Sequence, residues 1–320
     1  MKNIHLALWA LISLSFFSCE TLVNDVDPDR LPRSDNKLVV HGYLSPQDTL
    51  ISINVYYSSQ LIGGTVPYYM GGPGSPVSFT DALVTLSNQG KSITIPYDYD
   101  TRSYSIKATA MPIVAGQTYE LKVSREGKTV ESSCTVPKAV AIEEIKRDSV
   151  DSRNIFSSDP NFIPPKDYLY RIIWKDIVGE TNYYRVGGYA YQKERVSTAP
   201  EKFEEIPSLV QLSFRENNRF GDLLSDVNND GTLFASNNGI LPGYFSHNRT
   251  IIAGTRFVEL TLINCEKTYY DYHRAVRIFD YDNHFLDPYL INFFLKIGFF
   301  FFYAFNLYSI VLIYYDLFLF

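Results

Sequence analysis

The chain has 320 residues and a formal net charge of −6. It carries no basic stripe, which argues against a nucleic-acid partner. Aromatic residues make up 15%, with 25 Tyr and 22 Phe. Tyr, Thr, Val and Ile crowd into short runs between Gly, Pro, Asn and Asp, a pattern that favours strands over helices. The length suggests roughly two domains, each large enough for its own core.

The chain begins MKNIHLALWALISLSFFSC. A positive start at Lys2, an apolar run and the small Ser18 before a cysteine have the order of a secretory signal. The cysteine placement predicts a lipoprotein signal over residues 1–18, with Cys19 lipidated at the new terminus. Phe16 and Phe17 depart from the Leu and small residue common at those places. A plain signal peptide or an uncleaved anchor are the alternatives, although Leu6 to Phe17 is short for a bilayer crossing. One acyl chain holds a protein to a membrane only marginally, so durable anchoring at Cys19 would take several. Residues 19–36 are polar and aperiodic and read as a flexible tether.

Residues 37–138 read as one β-sandwich. Lys37 to Leu44 is the first strand. In LISINVYY (50–57), Ile51, Ile53, Val55 and Tyr57 share one face. Further strands are expected at 77–87, 91–96, 103–107, 117–124 and 128–136. Seven short strands in this span suggest an immunoglobulin-like fold, with Tyr119 placed for a tyrosine corner. The long loop SSQLIGGTVPYYMGGPGSP carries Tyr68, Tyr69 and Met70 as a candidate ligand loop. Its glycines lack the GK[ST] of a phosphate loop, and a loop packing its own aromatics is the plainer reading.

Residues 139–320 read as a second β-rich domain, with strands at 168–174, 182–192, 208–214 and 255–263. EKTYYDYHRAVRIF (266–279) has helical spacing of Tyr269, Tyr272, Ala275 and Val276. Asp226, Asn228 and Asp230, followed by Gly231, match the first half of a calcium loop. The twelfth position is Asn237 rather than Glu, and an ordinary polar turn fits the same residues. Beyond calcium, no cofactor is expected. His41, His247, His273 and His284 are scattered, and no HExxH, CxxC or GxSxG occurs. With Cys19 lipidated, Cys134 and Cys265 either pair as a disulfide in an oxidising compartment or stay apart as buried thiols. Asp48-Thr-Leu50 and Asp148-Ser-Val150 fit a short O-glycosylation pattern that also arises by chance.

The run KLVVHGYLSPQDTLISINV, then FTDALVTLSNQGKSITIPYD, IVAGQTYELKVS and SSCTVPKAV, resembles a family of Bacteroidetes lipoproteins known as domain-of-unknown-function family 4249. The likeness extends from about residue 19 to 290, and its specificity lies in the order of structural motifs. It implies an outer-membrane lipoprotein, often encoded beside a TonB-dependent transporter, and brings no catalytic residues. The expected role is therefore a non-catalytic binding or accessory subunit acting on an unknown ligand. A structural or adhesive surface protein and an unrecognised hydrolase are the alternatives. The family's glycine-rich run NIEGGxGxF is reduced here to Gly298 within 294–302. From Ile297 to Tyr315 the chain carries no charge, which is long enough to span a bilayer. Its Phe, Tyr, Ile and Val content instead predicts a last strand over 303–312.

Overall fold

The computed structural model describes residues 37–57, 78–152, 166–199, 202–216, 219–241, 250–282 and 300–313. It is mainly β, with antiparallel sheets and one helix of more than a single turn among the described residues. The first half holds β1 (Leu38–Leu44), β2 (Leu50–Tyr57), β3 (Leu83–Asn88), β4 (Lys91–Ile95), β5 (Tyr97–Asp98), β6 (Ser103–Lys107), β7 (Thr118–Arg125) and β8 (Lys128–Thr135). Strands β1-β2-β6-β5 form one layer and β4-β3-β7-β8 the other. Alternation does the work: in β7, Tyr119, Leu121 and Val123 are buried, and in β2, Ile51, Ile53 and Val55 are. Their side chains, with Val84, Leu86 and Tyr104, make the first core.

The turns between these strands are set by Gly90 (φ 78°) and Gly127 (φ 75°), a conformation that residues with a Cβ rarely adopt. The Tyr119 hydroxyl donates to the Pro112 carbonyl at 2.7 Å and accepts from the Val114 N–H at 2.9 Å. These are tyrosine-corner bonds. They and the strand order are compatible with an immunoglobulin-like arrangement, and neither is unique to it.

The second half holds β9 (Ile142–Asp151), β10 (Lys166–Lys175), β11 (Tyr183–Ala199), β12 (Lys202–Gln211), β13 (Ser213–Glu216), β14 (Arg219–Phe220), β15 (Leu223–Ser225), β16 (Leu233–Ala235), β17 (Gly239–Leu241) and β18 (Thr250–Cys265). Helix α1 (Lys267–Asp282) and strand β19 (Phe300–Ile313) follow. The stretch expected as one strand at 208–214 is two, β12 and β13. Pro207 lies in β12, an edge strand, where proline is tolerated. Trp174, Tyr170, Ile172, Tyr184, Val186 and Leu260 build a second core. It begins at Val140, and the first ends at Val136.

The two halves share a sheet. β19 pairs antiparallel with β18 and parallel with β1, giving the order β12-β11-β18-β19-β1-β2-β6-β5. The apolar stretch after residue 296 thus contains a strand through Phe300–Ile313. Among the described residues no helix is long and apolar enough to cross a membrane. A third cluster, Val39, Cys265, Tyr269 and Tyr270, fills the junction. Side-chain bonds reinforce it: Asn264 Nδ2 donates to the Lys138 carbonyl at 3.0 Å, and the Thr135 N–H to Glu266 Oε1 at 3.1 Å. Cys134 and Cys265 are free, buried thiols, and the disulfide considered from sequence is not made. Burial pushes both thiols well above their usual range.

His41 in β1 packs on Tyr56, with ring centroids 5.3 Å apart. Burial lowers its pKa from 6.5 to about 4. Between these values the unfolded chain binds the proton and the folded one does not. The contribution is therefore present above pH 6.5 and is lost as pH falls toward 4. The expected outcome is that His41→Gln flattens the acid loss of stability in that window by about 1–3 kcal/mol relative to the parent chain. Chemical denaturation at pH 7 and pH 4.5 measures it.

Candidate functional site

Two constellations of polar side chains stand out, and both hang on β11. Along this strand Arg185, Gly187 and Tyr189 alternate with the core residues Val186 and Ala190. The first three therefore face away from the second core. Arg185 and Gly187 pair with Ile263 and Thr261 of β18. Together with Gln211, Ser213 and Asp222 these residues line a cleft of about 430 Å³. A Cβ on Gly187 would stand 2.8 Å from Thr261 Oγ1, and one on Gly188 2.8 Å from Leu260 Cδ2. Gly187 lets the Thr261 side chain lie across the strand on the cleft side, and Gly188 makes room for Leu260 and Leu212 on the core side.

At the cleft wall Arg185 Nη1 donates to the Tyr269 hydroxyl of α1 at 2.6 Å, and its Nε to Asp222 Oδ2 at 3.3 Å. Burial of Arg185 opposes its charge, but Tyr269 and Asp222 outweigh that and hold its pKa above the usual value. Tyr269 is buried and its hydroxyl is pushed up, with Arg185 acting against the shift. This cation thus ties the helix to the sheet and places a positive charge at the cleft wall.

The second constellation joins two turns. One runs from the end of β10 to β11 and carries Asp176, Gly179 and Asn182. The other runs from β15 to β16 and carries Asp226 to Thr232. Asn228 (φ 82°) and Gly231 (φ 67°) take left-handed conformations that Asn and Gly tolerate. Gly231 lies so close to Val178 that a Cβ would stand 2.8 Å from its Cγ2. Carboxylate oxygens of Asp176, Asp226 and Asp230 lie within 4.8 Å of one another. The Gly179 N–H donates to Asp230 Oδ1 at 2.8 Å, the Gly231 N–H to Asp176 Oδ2 at 2.7 Å, and the Asn182 N–H to Asp226 Oδ2 at 2.8 Å. The Tyr184 hydroxyl donates to Asp176 Oδ1. Burial, then the charges of Asp176 and Asp230, raise the Asp226 pKa, and the Asn182 N–H works against the rise.

Of the calcium loop expected from sequence, the structure brings Asp226 and Asp230 together and leaves Asn228 exposed at the turn. Asp176, fifty residues earlier, supplies the third carboxylate. No local pattern marks it, although the turn KDIVGE that contains it is legible. Arg185 and the Gly187-Gly188 pair were read only as parts of a strand. A double glycine in a strand interior is the signal that a side chain or ligand approaches the backbone there. Cys19, the loop residues Tyr68, Tyr69 and Met70, and the histidines His247 and His284 lie outside the described residues. His41 is in β1 and packs on Tyr56, and His273 packs on Tyr269 and Tyr272 of α1.

A family model described as "Domain of unknown function (DUF4249)" matches residues 22–293, well over half of the chain. The chain belongs to this family. No curated protein and no solved structure matches it. The matched span contains β1 to β18, all of α1 and both constellations, so the family's extent includes the paired turns and the named cleft residues.

Arg185→Met takes the cation away from the largely buried Asp222 carboxylate and from the Tyr269 hydroxyl. It is expected to destabilise the protein by about 2–4 kcal/mol, because one side of a largely buried ion pair is removed. Equilibrium denaturation of Arg185→Met beside Arg185→Lys measures it, and the lysine variant should recover only part of the loss.

Proposed function

We propose that the protein is a non-catalytic binding subunit, anchored by a lipidated Cys19 at the outer membrane, that serves a TonB-dependent nutrient transporter. The observation that carries the reading is the cleft beside α1. It joins the polar side chains of Gln211, Ser213 and Thr261 to a guanidinium at its wall, Arg185. Such a site suits a small ligand with an anionic or strongly polar end. Membership of the family adds the order of motifs shared with the Bacteroidetes lipoproteins that the chain resembles. The signal-like start of the chain supports export and lipidation at Cys19. A tether of polar residues after it would let the folded part reach a neighbouring transporter.

Three readouts test this. Mass spectrometry of the N-terminal peptide from membrane-extracted protein should find Cys19 acylated, and chemical cross-linking in intact cells should recover a transporter. Ser213→Trp, which fills the cleft, should weaken uptake of the nutrient and leave the cross-link in place. An unmodified Cys19 still preceded by Ser18 contradicts the anchor. Cross-links that never include a transporter contradict the accessory role and favour a spacer or adhesive protein.

A further inference from the structure

We propose that Asp176, Asp226 and Asp230 form a calcium site that staples the β10–β11 turn to the β15–β16 turn. The three carboxylates alone would not carry this, because acidic residues gather at many turns. The independent observation is what remains unpaired. Asp226 is 2% exposed, and its Oδ1 has no hydrogen-bond partner. Asn182 is 6% exposed, and its Oδ1 also has none. Asn182 is the residue whose own N–H holds the other oxygen of Asp226, and its carbonyl accepts the Asp226 N–H at 3.2 Å. Two buried acceptors thus stand unpaired on neighbouring backbone, one of them in the carboxylate cluster. A buried acceptor without a donor costs free energy, and a cation removes that cost where a further N–H cannot reach.

The chemistry of the donors selects the ion. All are hard oxygens, with no imidazole or thiolate in the cluster, which suits calcium or magnesium rather than zinc or copper. Each oxygen that already accepts one hydrogen bond keeps a second lone pair. Asp230 is exposed, so water can complete the coordination shell on that side. The donors sit on two irregular turns, each carboxylate held by one backbone N–H, from Asn182, Gly179 or Gly231. A flexible shell of mixed protein and water oxygens fits calcium better than the strict octahedron that magnesium demands. The bound charge would also offset the mutual repulsion of three carboxylates held within 4.8 Å. The site is independent of the cleft reading, since it lies on different residues and needs no organic ligand.

Terbium stands in for calcium and reports its own site through nearby aromatic rings. Tyr184 donates to Asp176, and Trp174 lies 5.3 Å from Tyr184 between ring centroids, so excitation of either should sensitise a bound terbium ion. The full-length chain, stripped with chelator, is titrated with terbium and then with calcium or magnesium. The expected result is saturable one-to-one emission that calcium displaces and equal magnesium does not. Asp226→Asn should abolish it. Asp230→Asn is exposed and keeps an oxygen for the Gly179 N–H, so it should fold and bind at least about tenfold more weakly. Asp148→Asn, on the exposed β9, should change nothing. Absence of saturable emission overturns the proposal, as does emission of unchanged affinity in Asp230→Asn. Displacement by magnesium as readily as by calcium overturns the choice of ion.

Discussion

The pairing of β19 between β1 and β18 is the constraint on which the rest depends. Each of those strands would otherwise offer an unpaired edge, and an exposed edge is a liability in any sheet. β19 closes both at once: Val40 to Leu44 run parallel to Phe300 to Ala304, and Phe257 to Cys265 run antiparallel to Phe305 to Ile313. Among the described residues, the first strand is therefore held by the last. Gln47 adds to this by accepting the Leu307 N–H at 3.2 Å. The two cores stay separate in composition, but one continuous sheet passes from the first to the second.

That seam determines where chemistry can sit. β18 is fixed by β19 on one side and β11 on the other, so β11 has a firm base for its outward face. Arg185, Gly187 and Tyr189 gain a defined geometry from it, and α1 is drawn onto the same face by the Arg185–Tyr269 bond. At the near end of β11, Asn182 and Tyr184 extend to Asp226 and Asp176. The cleft and the paired turns are thus two products of one strand, whose outer face and leading turn do different work. Helix α1 belongs to the junction as well, because Tyr269 and Tyr270 pack with Val39 and Cys265.

Much of the fold was legible because alternation survives wherever one face is buried and the other wet. β2 and β7 alternate in sequence and in burial alike. Tyr119 and the helix after Glu266 were also readable, each from a local pattern. β9 was not: of its ten residues most are exposed, so no apolar period marks it. The short strands β14 to β17 fall below the length at which a period can show. The final strand was expected, but its partners were not, since a run apolar at nearly every position has no face to give away its register. At the paired turns, the pattern from Asp226 to Gly231 was visible and Asp176 was not. Three-dimensional proximity across fifty residues leaves no spacing to read.

Hydrogen–deuterium exchange along the full-length chain tests the central claim most directly. Amides of residues 300–313 should exchange as slowly as those of Val40–Leu44 and Phe257–Cys265, because the three strands share one ladder of hydrogen bonds and open together. Fast exchange through 300–313, with β1 and β18 still protected, would contradict the account.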